Sequence, residues 1–145
     1  MKTLLATLAA GLALATCGSA AADATPLTDT GWQLVSIDSV DGPTSIEDPS
    51  TFTVTFGADG HAAFLLDCNR GSGSWQATAV TPDSGALWFG PIAVTLMMCP
   101  QPSLDTRVAA ALSGVGAWHI EDGQLFMTPA SDTTTLRWTA LPDSH

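Results

Sequence analysis

The segment TFTVTF, Thr51 to Phe56, limits the fold more tightly than any other stretch of this chain. Phe52, Val54 and Phe56 fall on one face, and Thr51, Thr53 and Thr55 on the other. Strict alternation of this kind marks a half-buried antiparallel strand. GADG (Gly57 to Gly60) then turns the chain, and HAAFLLDC returns as the hairpin partner. The same grammar recurs on both sides. WQLVSI (Trp32 to Ile37) reads as a first strand, and Asp41 to Ser50, with no periodicity, as a loop. Further strands are expected at Ser74 to Ala79, Ala86 to Phe89, Ile92 to Met97, Ala117 to Ile120, Gln124 to Thr128 and Thr134 to Thr139, with EDGQ and ASDT as the last turns. One segment departs from it. SLDTRVAAALSG places Leu104, Val108, Ala111, Leu112 and Val115 at helical spacing, with Ser103 as cap, Asp105 near the positive end and Gly114 at the exit. The expected fold class is mainly β (α+β): an antiparallel sheet or incomplete β-barrel with one amphipathic helix covering or plugging it.

The N-terminus reads differently from the rest. Lys2, the apolar run Leu4 to Ala15 and the small residues after it follow the n-, h- and c-region order of a secretory signal. The run is too short to span a membrane, which takes about 20 residues. Residues 1–22 are therefore expected to be a signal peptide, cut at Ala20-Ala21-Ala22 before Asp23. A rival reading takes LATC (Leu14 to Cys17) as a lipobox, with Cys17 lipidated; Thr16 departs from the small residue expected before that cysteine. The protein would then be exported, to the periplasm or, if Cys17 is lipidated, to the outer membrane. Residues 23–30 read as an N-terminal linker and 31–140 as one domain, since roughly 120 residues suit a single core. All fourteen Asp and Glu lie beyond residue 22, against Arg70, Arg107 and Arg137, and the net charge of the chain is -10. Such a surface repels nucleic acid, so DNA and RNA are not expected as partners. A monomer is expected.

Three segments in this order resemble the META domain family, which includes the heat-shock protein HslJ. DCNRGSGSW (Asp67 to Trp75) is similar to the family's Cys-Asn, Gly-containing turn and aromatic. LWFGPIAVTLMMCP (Leu87 to Pro100) is similar to its apolar strand, Ile-Ala-x-Thr and Met-Met-Cys. LSGVGAWHIEDGQLFM (Leu112 to Met127) is similar to its helix end, strand, Asp-Gly turn and strand, and GWQLVSI sits at its opening strand. The resemblance covers roughly Thr28 to Trp138. It implies a compact mixed sheet or incomplete barrel with a helix, in envelope proteins linked to stress tolerance and without an established enzymatic activity. Asp67 and Gly71 depart from the Gly and Tyr common at those places in the family.

Cys68 and Cys99 are the cysteines left after a cut at residue 22, and an even pair in an oxidising compartment normally forms a disulfide. Closing about 30 residues stabilises a small domain by roughly 3–4 kcal/mol on the chain-entropy account. A nucleophilic Cys68 would need a base, and His61, His119 and His145 fall in no recognisable catalytic motif. Met97, Met98 and Cys99 offer soft ligands for Cu(I), but adjacent strand residues face opposite ways and a disulfide consumes the Cys99 sulfur. No metal and no cofactor is expected. Asn69, Gly71 and Gly73 are expected to shape a turn after Cys68, and Asp67 to pair with Arg70. Of five tryptophans, Trp88 lies out of phase with Leu87 and Phe89 and is the expected exposed aromatic, a candidate interaction residue.

The resemblance implies a non-enzymatic envelope module that binds an envelope protein or a small apolar ligand under stress. An inhibitor of secreted proteases, inserting ADATPLTDTG as an arm, is the alternative, and copper handling a third.

Overall fold

The computed structural model describes residues 25–131 and 133–142. The expected signal peptide, Cys17 and His145 lie outside the described residues. The strands are β1 (Thr30–Ser39), β2 (Gly42–Ser45), β3 (Phe52–Phe56), β4 (His61–Leu66), β5 (Asn69–Ala77), β6 (Ser84–Phe89) and β7 (Ala93–Val94). After helix α1 (Asp105–Ser113) come β8 (Val115–Glu121), β9 (Gln124–Pro129) and β10 (Thr135–Ala140).

Eight strands run antiparallel in the order β1-β3-β4-β5-β6-β8-β9-β10, and β10 pairs back onto β1, Trp32 opposite Ala140 through Asp38 opposite Thr135. The architecture is mainly β with one helix, and the barrel is closed rather than incomplete. Closure needs both edges of β1. Its first half takes β3 on one edge and β10 on the other, with Val35 as the extra residue of a bulge between Leu34 and Ser36.

Two expectations fail for a shared reason. The pairing of β3 with β1 ends at Gln33 opposite Thr53, so the second half of β1 has an open edge. Part of the supposed loop Asp41–Ser50 fills it as β2, and Pro49–Thr51 form a 3-10 turn capped by Asp48. The long β5 presents the same problem. It pairs with β6 only from Trp75 to Ala77, and the short β7 fills the edge at Gly71 and Ser72. The expected strand Ile92–Met97 therefore shrinks to Ala93–Val94, and Thr95 to Cys99 follow as irregular chain.

An eight-stranded barrel has an interior just wide enough to be filled by side chains. Here Leu34, Phe56, Trp118, Leu125, Met127, Leu136 and Trp138 fill it, each at most 1 % exposed. Phe52, Val54 and Phe56 all face inward, as their alternation requires. Phe56 packs edge-on against Trp75 with ring centroids 5.0 Å apart. Two of the buried indoles find acceptors: Trp75 Nε1 donates to Gly57 O and Trp118 Nε1 donates to Thr78 O. Helix α1 lays Val108 and Leu112 into the core and contacts β4 and β6. Ser103 Oγ accepts from Asp105 N, so the cap sits two residues before the helix starts. Leu27 is fully buried and Thr25 is buried beside it, so these two residues anchor the segment before β1, while Pro26 and Asp29 are exposed.

Candidate functional site

Three consecutive residues, Asp67, Cys68 and Asn69, each hold the segment between β7 and α1. Asp67 Oδ2 accepts from Ser103 Oγ at 2.6 Å. Cys68 and Cys99 are joined by a disulfide. Asn69, only 3 % exposed, uses its whole amide: Oδ1 accepts from Met97 N at 2.8 Å and Thr95 Oγ1 at 2.9 Å, and Nδ2 donates to Met97 O at 2.9 Å and Asp105 Oδ2 at 3.2 Å. An amide has two protons and two lone pairs, so four such bonds saturate it. Thr95 closes the set by a bond from its N–H to Arg70 O and one from Arg70 N–H to its Oγ1.

This geometry corrects the expected turn. Leu66 pairs directly with Asn69, so the two-residue turn is Asp67-Cys68, and Asp67 takes a left-handed φ of 60°. Asn69, Gly71 and Gly73 all lie in β5. The glycines are there for room. A Cβ at Gly71 would stand 3.3 Å from Ile92 Cγ2, and one at Gly73 3.0 Å from the carbonyl oxygen of Pro91. Glycine inside a strand commonly marks such a close approach of another backbone. The expected Asp67–Arg70 pair does not form either. The ion pairs among the described residues are His61–Asp59, His119–Glu121 and Arg137–Asp38, and Asp67 is occupied by Ser103.

Because its backbone is bound from beneath, the loop turns its side chains outward. Leu96 is 95 % exposed, Met97 63 % and Met98 90 %. Behind them is a pocket of about 470 Å³, with Leu66, Val94, Ala109 and the Cys99 end of the disulfide on its apolar wall and Gln101 and Asp105 at its polar side. Trp88 is 43 % exposed on the outer face of β6. The strand argument that kept Met97 and Met98 from acting together does not apply to an irregular segment, but the Cys99 sulfur is in the disulfide. Among the described residues no cluster of three or more His, Cys, Asp or Glu is placed to hold a metal ion.

Of the described histidines, His61 is separated from Cys68 by the length of β4. His61 begins β4, about 17 Å of extended chain from the Leu66 end that leads into Cys68, and its Nδ1 lies 3.4 Å from Asp59 Oδ2. His119 stacks on Phe126, centroids 4.5 Å apart. Among the described residues Asp59 has a displaced titration. Its exposed carboxyl is held below the usual carboxylate value, chiefly by the backbone N–H of His61, with the charge and side chain of His61 adding to it.

Sequence reading missed Leu96, and with it the outward loop, because Ile92 to Met97 reads as strand. The signal was present: TLMM has no polar-apolar alternation and is bracketed by Pro91 and Pro100. It also placed Asp105 only at the helix dipole, whereas the carboxylate ties the helix to Asn69 as well.

Known structures share this architecture. A protein from Burkholderia xenovorans, solved by NMR, superposes with a TM-score of 0.63 at 24% identity, over 80% of this chain and 84% of that one. A crystal structure of a DUF4847 family protein from Bacteroides vulgatus superposes with a TM-score of 0.54 at 16% identity, over 79% of this chain and 94% of that one. At those identities the likeness is one of fold. No curated protein matches the chain. The family model of the META domain matches residues 25–141, from the buried Thr25 past the end of β10, and with it the clamp of Asp67, Cys68 and Asn69; this chain belongs to the META domain family.

Proposed function

We propose that this META domain is a non-enzymatic binding module of the cell envelope, and that it works through the Leu96–Met98 loop and the pocket behind it. The observation that carries the reading is the combination of exposed side chains and fixed backbone. Three consecutive large apolar residues face solvent on a segment held by a disulfide and a saturated asparagine. Contiguous exposed apolar surface of this kind marks interaction sites in soluble domains. Unbranched Met side chains repack easily around different apolar shapes. A fixed backbone lowers the ordering cost of association. The pocket volume falls within the range of sites that take a ligand or a side-chain cluster.

The partner we infer is a protein segment that is apolar and flanked by basic residues. Its apolar part matches Leu96 and Met98, and its basic part matches a chain of net charge -10 with Asp105 at the pocket. Absence of catalysis is supported by the pairing of both sulfurs and by the distance of His61 from Cys68 along β4. An envelope location is supported by the signal-like order of residues 1–22.

Titration calorimetry with a designed Leu/Lys amphipathic peptide tests the site. The native protein binds, a Leu96→Ser, Met98→Gln variant loses about tenfold or more in affinity, and Trp88→Ser loses little. Binding that survives the loop substitutions but vanishes with Trp88→Ser moves the site to β6 and refutes the reading.

A further inference from the structure

We propose that Met97 and Met98 are a modification site for peroxide-type oxidants, at which oxidation turns the loop surface from apolar to polar while the fold stays intact. The described sulfur atoms belong to five residues. Cys68 and Cys99 are paired and offer no thiol. Met127 lies in the barrel core at 0 % exposure, whereas Met97 and Met98 are 63 % and 90 % exposed. Oxidation of a thioether follows its access to the oxidant. Of the described methionines, two adjacent ones are therefore presented to oxidants and the third is shielded.

The chemistry is a two-electron oxygen transfer. The thioether sulfur attacks one oxygen of hydrogen peroxide, the O–O bond breaks, an S–O bond forms, and the second oxygen leaves as water. Sulfur is oxidised and peroxide reduced. The reverse step consumes two thiols, which become a disulfide as the sulfoxide oxygen leaves as water.

The local geometry confines the effect to the surface. Asn69 holds Met97 by its backbone N–H and carbonyl, neither of which changes on oxidation. Thr95 on one side and Cys99 on the other are anchored independently. The side chains gain a polar, chiral sulfoxide while the main chain stays in place. In binding terms this regulates the surface assigned above, and that consequence alone rests on the proposed function.

The test treats the folded protein with hydrogen peroxide and follows each methionine by peptide mass mapping. Met98 and Met97 are expected to take up one oxygen each, at least about tenfold faster than Met127. Retention on a hydrophobic-interaction column should drop, and the urea unfolding midpoint should not move. A Met97→Leu, Met98→Leu variant should keep its retention through the same treatment. Oxidation of Met127 at a comparable rate, or a fall in the unfolding midpoint before Met127 reacts, overturns the proposal. Peptide binding is measured in parallel. If untreated protein does not bind the Leu/Lys peptide, the function assigned to the loop fails, while the mass map still decides the modification site.

Discussion

Asn69 holds Met97 by both of its backbone polar atoms, accepting from the N–H at 2.8 Å and donating to the carbonyl at 2.9 Å. A buried side-chain amide thus does for an irregular loop what a neighbouring strand does for a β-residue. β7 ends at Val94, and beyond it the edge of β5 has no further strand partner. Asn69 supplies the missing partner, so Leu96 to Met98 need no inward side chains to stay in place.

Replacing Asn69 separates the parts of that role. Asn69→Ala removes the amide's bonds to Thr95, Met97 and Asp105 and should cost about 1–3 kcal/mol, read from the urea midpoint. Asn69→Asp keeps the size but loses both donors and sets a carboxylate against Met97 O and the Asp105 carboxylate. The folded-state pKa of that new acid should be raised. The penalty should therefore be full above the raised value and fade as the pH falls toward the ordinary carboxylate range. A penalty that does not change with pH would mean the carboxylate has swung out to water.

Removing the covalent tie tests the other anchor. A Cys68→Ala, Cys99→Ala variant reopens a loop with a sequence separation of 31 residues. It should lose about 3–4 kcal/mol on the chain-entropy account while still folding, because the barrel closes through β1 and β10, away from the bond. Denaturant melts and the β-sheet circular dichroism signal at zero denaturant check both halves.

Gly85 should tolerate no side chain. A Cβ there would lie 1.7 Å from the carbonyl oxygen of Thr78, which also accepts from Trp118 Nε1. Backbone cannot yield as a flexible side chain does, so Gly85→Ala should cost about 3 kcal/mol or more. Gly114→Ala is the control. Its φ is -101° and its nearest obstacle is 3.8 Å away, so stability should change by less than about 1 kcal/mol.

Asp59 should show a distinct pH signature. Its carboxyl titrates below the ordinary carboxylate value, first because His61 N–H donates to it. A depressed folded pKa contributes stability above the unfolded value and loses it as the pH falls through the folded one. The advantage of the native protein over Asp59→Ala should thus be present near neutral pH and disappear in strong acid. Paired urea midpoints across that range, with an NMR titration of the Asp59 carboxyl, check the direction.

Much of the fold was legible because period-two alternation survives wherever one face is buried. TFTVTF and the last two strands, with Leu125 and Met127 and then Leu136 and Trp138 inward, show it, and the helix announced itself through Val108 and Leu112. What stayed hidden depends on contacts between segments far apart in sequence. GPTS looks like loop because it is too short and too polar to show a period, yet the open edge of β1 makes a strand of it. NRGSG looks like a turn because glycine usually bends chains, yet Gly71 and Gly73 make room for the crossing of Pro91 and Ile92. Pairing of Cys68 with Cys99 could be argued from compartment and count. The four bonds of Asn69 could not, since Thr95, Met97 and Asp105 are 26 to 36 residues away.

The central claim is that the Leu96–Met98 loop is the binding surface, and methionine-methyl NMR tests it most directly. Protein labelled at its methionine methyls is titrated with the Leu/Lys peptide. The account predicts that the Met97 and Met98 signals shift and saturate together while Met127, sealed in the core, stays fixed. Peptide binding that leaves Met97 and Met98 unmoved, or no binding at all, contradicts it.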